Sequence, residues 1–170
     1  MDENMGKMIS ILEEKGKRDN TIVVFLSDNG KPFPRCKGSL YDSGIQTPLI
    51  FMWKEKINPN TVHDNGLISC VDLAPTLLGL VDIPLPQNIY GNSFHEIVFD
   101  HTKRGRDYIF AERNWHDTDE YIRCIRTEKY KLTYNAYFEV PHGTASDLSS
   151  SASWYELRKQ QNNGLLTKDQ

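Results

Sequence analysis

The spacing of polar and apolar positions changes twice along this chain. Near the start, Met5, Met8, Ile9 and Leu12 recur at helical intervals before the charged Glu13, Glu14 and Lys15 and a stop at Gly16, which predicts an amphipathic helix over residues 3–15. Asp19 and Asn20 make a turn, and from Thr21 to Leu26 every side chain is β-branched or apolar. A run with no polar alternation predicts a strand buried on both faces, as in the middle of a parallel sheet. A helix followed by such a strand is an α/β unit, and this strand ends abruptly at Ser27-Asp28-Asn29-Gly30.

Prolines and glycines then dominate. Gly30, Pro32, Pro34, Gly38, Gly44 and Pro48 make residues 30–47 a loop. Residues 49–53 are a second strand of buried composition. Leu73, Leu77 and Leu80 return to helical spacing; Pro75 fits only a first turn, so this helix starts near Asp72, a good N-cap. Beyond Pro84 and Pro86 the pattern shortens. Residues 108–110, 121–126 and 130–134 read as strands of a small antiparallel sheet with one wet face. Beyond Pro141, the Ser-rich residues 146–153 read as a loop and residues 154–161 as a last short helix.

Charge narrows the function classes. Twenty basic against 23 acidic residues leave a net charge of -3, without the concentrated positive footprint of a nucleic-acid or polybasic membrane protein. No apolar run approaches the ~20 residues that span a bilayer, and Met1-Asp2-Glu3-Asn4 lacks the basic and apolar opening of a signal peptide. Cys36, Cys70 and Cys124 have no Cys-x-x-Cys spacing and no histidines at ligand intervals, against both a zinc site and a disulfide framework. With 38% hydrophobic residues the chain is lean in core formers.

Asp28 and Asn29 place a carboxylate and an amide oxygen at the carboxyl end of a buried strand, where open parallel sheets hold ligands. Any turn after a strand favours the same residues. As ligands they are hard oxygens suited to Ca²⁺ or Mg²⁺ and not to zinc, and Lys31, Arg35 and Lys37 nearby could hold an anionic substrate beside a metal. Among the histidines, His63, His95, His101 and His142 stand between polar or loop residues and read as surface groups. His116 differs: it follows a predicted strand and lies beside Trp115 in Glu112-Arg113-Asn114-Trp115-His116-Asp117. Glu112 and Arg123 read as members of ordinary ion pairs, and Trp115 as a half-buried core residue.

Several stretches together carry a resemblance. From Asp19 to Gly30, from Lys37 through Gly38, Ser39, Leu40 and Tyr41 to Ile45, and from Thr47-Pro48 to Ile50, the chain resembles the C-terminal part of a type I sulfatase. Val71-Asp72-Leu73-Ala74-Pro75-Thr76 and Gly91-Asn92-Ser93 follow in the same order. Asp28-Asn29-Gly30-Lys31-Pro32-Phe33-Pro34, with a base at Lys37, is most similar to the sulfamidases, the heparan N-sulfatases. Tyr134-Asn135, Pro141 and Trp154-Tyr155-Glu156-Leu157 extend that similarity over nearly the whole chain.

The resemblance implies an α/β, alkaline-phosphatase-like sheet with helices, of which this chain is the C-terminal part, plus a small antiparallel C-terminal subdomain. Residues 1–100 would belong to the catalytic domain and residues 101–170 to the subdomain. By motif match, Asp28 and Asn29 would be ligands of Ca²⁺, in preference to Mg²⁺, and Lys37 would contact the sulfo oxygens, where it offsets developing charge. His116 would take part in recognising the sugar of a sulfated, glycosaminoglycan-like substrate, whose sulfate ester or sulfamate is hydrolysed. Complete family members are periplasmic, secreted or lysosomal.

The chain also departs from the family. Its sequence holds no Cys/Ser-x-Pro/Ala-x-Arg motif, the site whose Cys or Ser becomes the nucleophilic formylglycine: Lys37-Gly38-Ser39 follows Cys36, Val71-Asp72-Leu73 follows Cys70 and Ile125-Arg126-Thr127 follows Cys124. Formylglycine is therefore expected upstream, in a missing N-terminal half, and this piece alone is expected to be inactive. Two other readings stay open. A superfamily phosphodiesterase or phosphonate hydrolase usually follows the strand's Asp with His, where this chain has Asn29; a non-catalytic carbohydrate-binding remnant would have lost the nucleophile altogether.

Overall fold

The helical period of Met5, Ile9 and Leu12 produces α1 (Asp2–Glu14), with Asp2 and Glu3 in its first turn, where acidic groups complement the helix dipole. Gly16 follows at φ 62°, the left-handed conformation that ends helices. The computed structural model describes residues 1–140 and 145–167; Pro141 and His142 lie outside the described residues. Contacts group the chain into two units, Met1–Leu26 with Leu49–Ile109, and Ser27–Pro48 with Phe110–Gln170. Residues 27–48 therefore group with the C-terminal part of the chain.

In the first unit, β1 (Val23–Leu26) pairs with β2 (Leu49–Met52), Val23 opposite Met52 and Leu26 opposite Leu49. The pairing is antiparallel, which corrects the expected parallel neighbour. A parallel return needs a crossover, usually a full helix, whereas residues 27–48 contain only the single turn α2 (Asp42–Ile45). That turn also corrects the reading of residues 30–47 as loop throughout. Nor are the strands covered on both faces: Leu26, Leu49 and Ile50 are exposed, Ile50 by 56%. Apolar composition reports what a strand is suited to, while actual burial depends on the surfaces that meet it.

The rest of this unit is organised around Asp72, which precedes α3 (Leu73–Leu80) as expected. Its side chain does not cap the helix. It accepts a hydrogen bond from the Asn92 backbone N–H at 2.7 Å and takes both arms of the Arg106 guanidinium. The Thr76 hydroxyl donates to the Asp72 carbonyl at 2.7 Å and accepts from the Phe94 N–H at 2.9 Å, ahead of α4 (His95–Phe99). Pro75, Thr76, Leu80 and Phe94 are buried, and the Phe94 ring meets Phe51 edge-on at 5.8 Å. His63 and His95 are half-buried rather than surface groups: His95 Nδ1 lies 2.9 Å from the Ser93 hydroxyl and His63 Nδ1 3.1 Å from the His101 carbonyl.

The second unit holds a sheet in the order β3 (Tyr108–His116), β4 (Thr118–Thr127), β5 (Lys131–Asn135), with β3 entering from the first unit. β4 and β5 are antiparallel, Ile122 opposite Asn135 and Arg126 opposite Lys131. One face is wet, as expected: Ile122 and Cys124 are buried, while Tyr121, Leu132 and Tyr134 are exposed. β3 runs well beyond the predicted 108–110, and Asp117 alone, at φ 68°, joins it to β4. The Ser-rich segment is not all loop either. It forms α5 (Ser146–Ser149) and the start of α6 (Ala152–Asn162), because Leu148, 1% exposed, anchors the first and the Ser151 hydroxyl caps the second by accepting from the Trp154 N–H.

Candidate active site

All four candidate site residues, Asp28, Asn29 and Lys37 from the motif and His116 from its place beside Trp115, fall in the second unit. Asp28 and Asn29 follow β1 directly, and the Ser27 hydroxyl fixes this corner by donating to the Asn29 carbonyl at 2.8 Å. Gly30 donates to the Gly44 carbonyl at 2.8 Å. A Cβ on Gly30 would collide with the Ser43 carbonyl, and one on Gly44 with the carbonyls of Cys36 and Ser39. Two strands of backbone therefore close on each other here only because both residues are glycine.

The loop that follows is tied down from inside. Lys37 N–H donates to the Lys31 carbonyl at 3.1 Å, and the Ser39 and Ser43 hydroxyls both donate to the carbonyl of Arg35, at 2.9 and 2.7 Å. Arg35 adopts φ 63° and is exposed, its guanidinium 5.2 Å from the centre of the Tyr41 ring. Arg126 and Lys131, from β4 and β5, both reach the carboxylate of Asp42, and Lys131 also donates to the Leu40 carbonyl. Arg113 of β3, 8% exposed and ion-paired with Glu120 of β4, donates to the carbonyl of Gly38. The segment carrying Lys37 is thus bonded to all three strands.

The Lys37 ammonium donates to Asp147 of α5. This hydrogen bond, with the charge of Asp147 and a smaller contribution from Asp28, raises the Lys37 pKa above the ordinary lysine value. Reciprocally, the hydrogen bond from Lys37 holds the Asp147 carboxyl below the usual range, and the charge of His116 acts in the same direction. Asp117 is held low mainly by the Ser146 N–H, which donates to it at 2.6 Å. His116 is the exposed last residue of β3 rather than a loop residue after it, and its ring edge lies 3.9 Å from where a Cβ of Gly38 would stand. Trp115 is 66% exposed, not half-buried. Glu112 and Arg123, each read as a member of an ordinary ion pair, pair with one another at 3.2 Å.

Sequence reasoning missed Asp147, Asp117 and Arg113. Asp147 sits in a serine-rich stretch without periodicity, 110 residues from its partner, so only the fold reveals it. Arg113 left a faint signal: a lone cation inside a strand, with an acid on the next strand to pair with it.

The donor set at Asp28 and Asn29 agrees with a hard cation in part. Asp28 is exposed, and no described residue hydrogen-bonds its carboxylate. Among the described residues no three His, Cys, Asp or Glu side chains converge, and Ca²⁺ takes 6–8 oxygens, so these two supply a minority of a complete shell. The three cysteines are free, and no helix among the described residues is long and apolar enough to cross a membrane.

Comparison with known proteins agrees with this architecture. The sulfatase family model matches residues 1–83. An ulvan-active sulfatase of Formosa agariphila is 35% identical over 136 residues, 79% of this chain and 22% of that protein. Human N-sulphoglucosamine sulphohydrolase is 27% identical over 172 residues, 92% of this chain and 33% of the enzyme. Among solved structures, a protein in complex with its substrate D-glucosamine-2-N,6-O-disulfate superposes with a TM-score of 0.65 at 21% identity, covering 96% of this chain and 37% of its own. The phosphonate monoester hydrolase of Silicibacter pomeroyi gives 0.59 at 20%, covering 96% and 38%. The fold is the α/β fold of the alkaline-phosphatase-like sulfatases. Residues 1–83 of this chain thus carry a sulfatase family region, its relatives named here are sulfate-cleaving hydrolases, and the chain spans about a fifth to a third of the length of these two relatives.

Proposed function

We propose that this chain forms the part of a sulfated-sugar hydrolase that holds the sulfo group, and that the complete enzyme cleaves a sulfate ester or a sulfamate. The observation that carries this reading is the cation at Lys37, fixed by its loop and by Asp147 and lying within the field of Asp28. In this reading Lys37 donates to the sulfo oxygens and offsets the charge that grows on them and on the leaving group. Asp28 and Asn29 would supply two of the oxygens that hold Ca²⁺, which when bound would polarise the sulfo group as a Lewis acid. His116 and the exposed Trp115 contact the sugar. The formylglycine nucleophile would come from another part of the enzyme, since these 170 residues contain no Cys/Ser-x-Pro/Ala-x-Arg.

Relatives described as acting on N-sulphoglucosamine and on ulvan support a sulfated saccharide substrate. The local sequence from Asp28 to Lys37 favours a sulfamidase-like preference among these. No feature of this site favours the phosphonate hydrolase reading, which rests on a shared fold.

The test is sulfate release from glucosamine N-sulfate and glucosamine 6-sulfate by the full-length protein containing this chain. A strong chelator should abolish release and Ca²⁺ should restore it; Asp28→Ala should lose the restoration. Undiminished turnover by Asp28→Ala would remove the metal assignment, and saccharide binding without release in the wild type would favour a non-catalytic carbohydrate-binding protein.

A further inference from the structure

A lysine on a loop is a poor electrostatic catalyst unless something holds it. Its four-carbon stem leaves the ammonium free to wander, and a charge that must be repositioned during reaction gives up much of its advantage. Lys37 is only 30% exposed, and its ammonium is taken by Asp147. Asp147 is itself placed with care. It lies in the single turn α5, fixed on one side by the buried Leu148 and on the other by Asp117, whose carboxylate accepts from the Ser146 N–H at the turn's first residue. Asp117 holds the one-residue link between β3 and β4 at φ 68°, next to His116. The sheet end that carries His116 therefore also positions Asp147.

We propose that Asp147 is the positioning residue for Lys37: it fixes the ammonium where a sulfo oxygen arrives, with Asp117 bracing it through the Ser146 amide. This rests on the sulfo-binding role of Lys37 given above. An ammonium has three N–H donors, so the bond to Asp147 uses one and leaves two for sulfo oxygens. The carboxylate need not leave when the substrate binds. Asp147 touches no substrate atom in this scheme; it acts through Lys37.

A thermodynamic cycle in the full-length protein tests this. kcat/KM for a sulfated glucosamine is measured for wild type, Lys37→Ala, Asp147→Ala and the double variant, with binding of inorganic sulfate followed on the same four proteins. Misplacing a reacting group by about 1 Å can cost about 10²-fold. Asp147→Ala should lose up to about that much in the wild-type background and little or nothing further once Lys37 is gone. Asp147→Glu should recover more activity than Asp147→Asn, which keeps the shape but not the charge, so the comparison stands even where the alanine variant folds poorly. An equal loss in both backgrounds would make Asp147 a merely structural residue, and no loss in either would leave the contact without consequence; both results overturn the proposal while the hydrolase reading stands. If wild type neither binds sulfate nor releases it, the reading of Lys37 falls, and the role of Asp147 falls with it.

Discussion

Lys37 and Lys31 stand on the same loop with the same charge, and the fold treats them differently. Lys31 is exposed, whereas Lys37 is partly withdrawn, bonded to Asp147 and next to a glycine whose carbonyl is held by buried Arg113. Removing a preorganised charge from a water-poor site typically costs on the order of 10²–10³ in rate. Lys37→Ala in the full-length protein should fall in kcat by about that much, and Lys31→Ala should change it far less; steady-state kinetics on both variants decides the matter, and equal small effects would mean a merely solvated basic loop. The Lys37–Asp147 pair is robust to pH. The raised lysine keeps its contribution until pH climbs through its folded value, above the ordinary ~10.4, and the depressed carboxylate keeps its own until pH falls through a folded value below the ordinary ~3.9. Across the neutral range neither group changes charge. At this scale the sequence was legible where neighbours were local: Asp28, Asn29 and Lys37 lie within one motif, and the fold keeps them in one unit. It was silent about Asp147, whose meaning comes from a partner 110 residues away.

Among the elements, α3 shows how a correct outline can conceal the working part. Residue spacing and Pro75 put the helix start at Asp72 correctly, but N-cap preference gives the Asp72 side chain the wrong partner. The carboxylate, 3% exposed, instead receives Arg106 and the Asn92 N–H, because a guanidinium from a distant segment outcompetes a local backbone amide. Arg106 is correspondingly harder to deprotonate, through its hydrogen bond to Asp72. Asp72 is buried but the Arg106 side chain is 30% exposed, so a guanidinium left alone can turn to water, and the main loss is the buried bonding around Asp72, about 1–3 kcal/mol. Asp72→Ala should therefore lower the denaturant midpoint by an amount equivalent to about 1–3 kcal/mol, checked by urea titration; a loss near that of an ordinary exposed pair would show that the bond contributes little. Strand direction was the element-level failure. An apolar run such as Val23 to Leu26 says that a strand exists, and the pairing depends on what the connection of residues 27–48 permits.

In the whole molecule, the exposed side chains of β1 and β2 set the behaviour of this polypeptide in isolation. Leu26, Leu49 and Ile50 present apolar surface beside strand edges that no other strand among the described residues pairs, which is a template for association. The isolated 170-residue chain should bind a hydrophobic dye, self-associate and release no sulfate from any sulfated sugar; Ile50→Lys should reduce the self-association. Light scattering and a sulfate-release assay check both parts, and a sharp monomeric melt would show that the strands tolerate water. The division into units has a consequence for biosynthesis. Residues 27–48 leave the ribosome between the two strands of one unit yet belong to the other, and Lys37 precedes Asp147 by 110 residues. At about 5–20 residues per second, roughly 5 to 20 s pass between the appearance of that lysine and of the carboxylate that holds it. During nascent-chain growth the loop must wait, closed on itself by the hydrogen bonds within residues 27–48, and the Lys37 ion pair is completed only once Asp147 has been made.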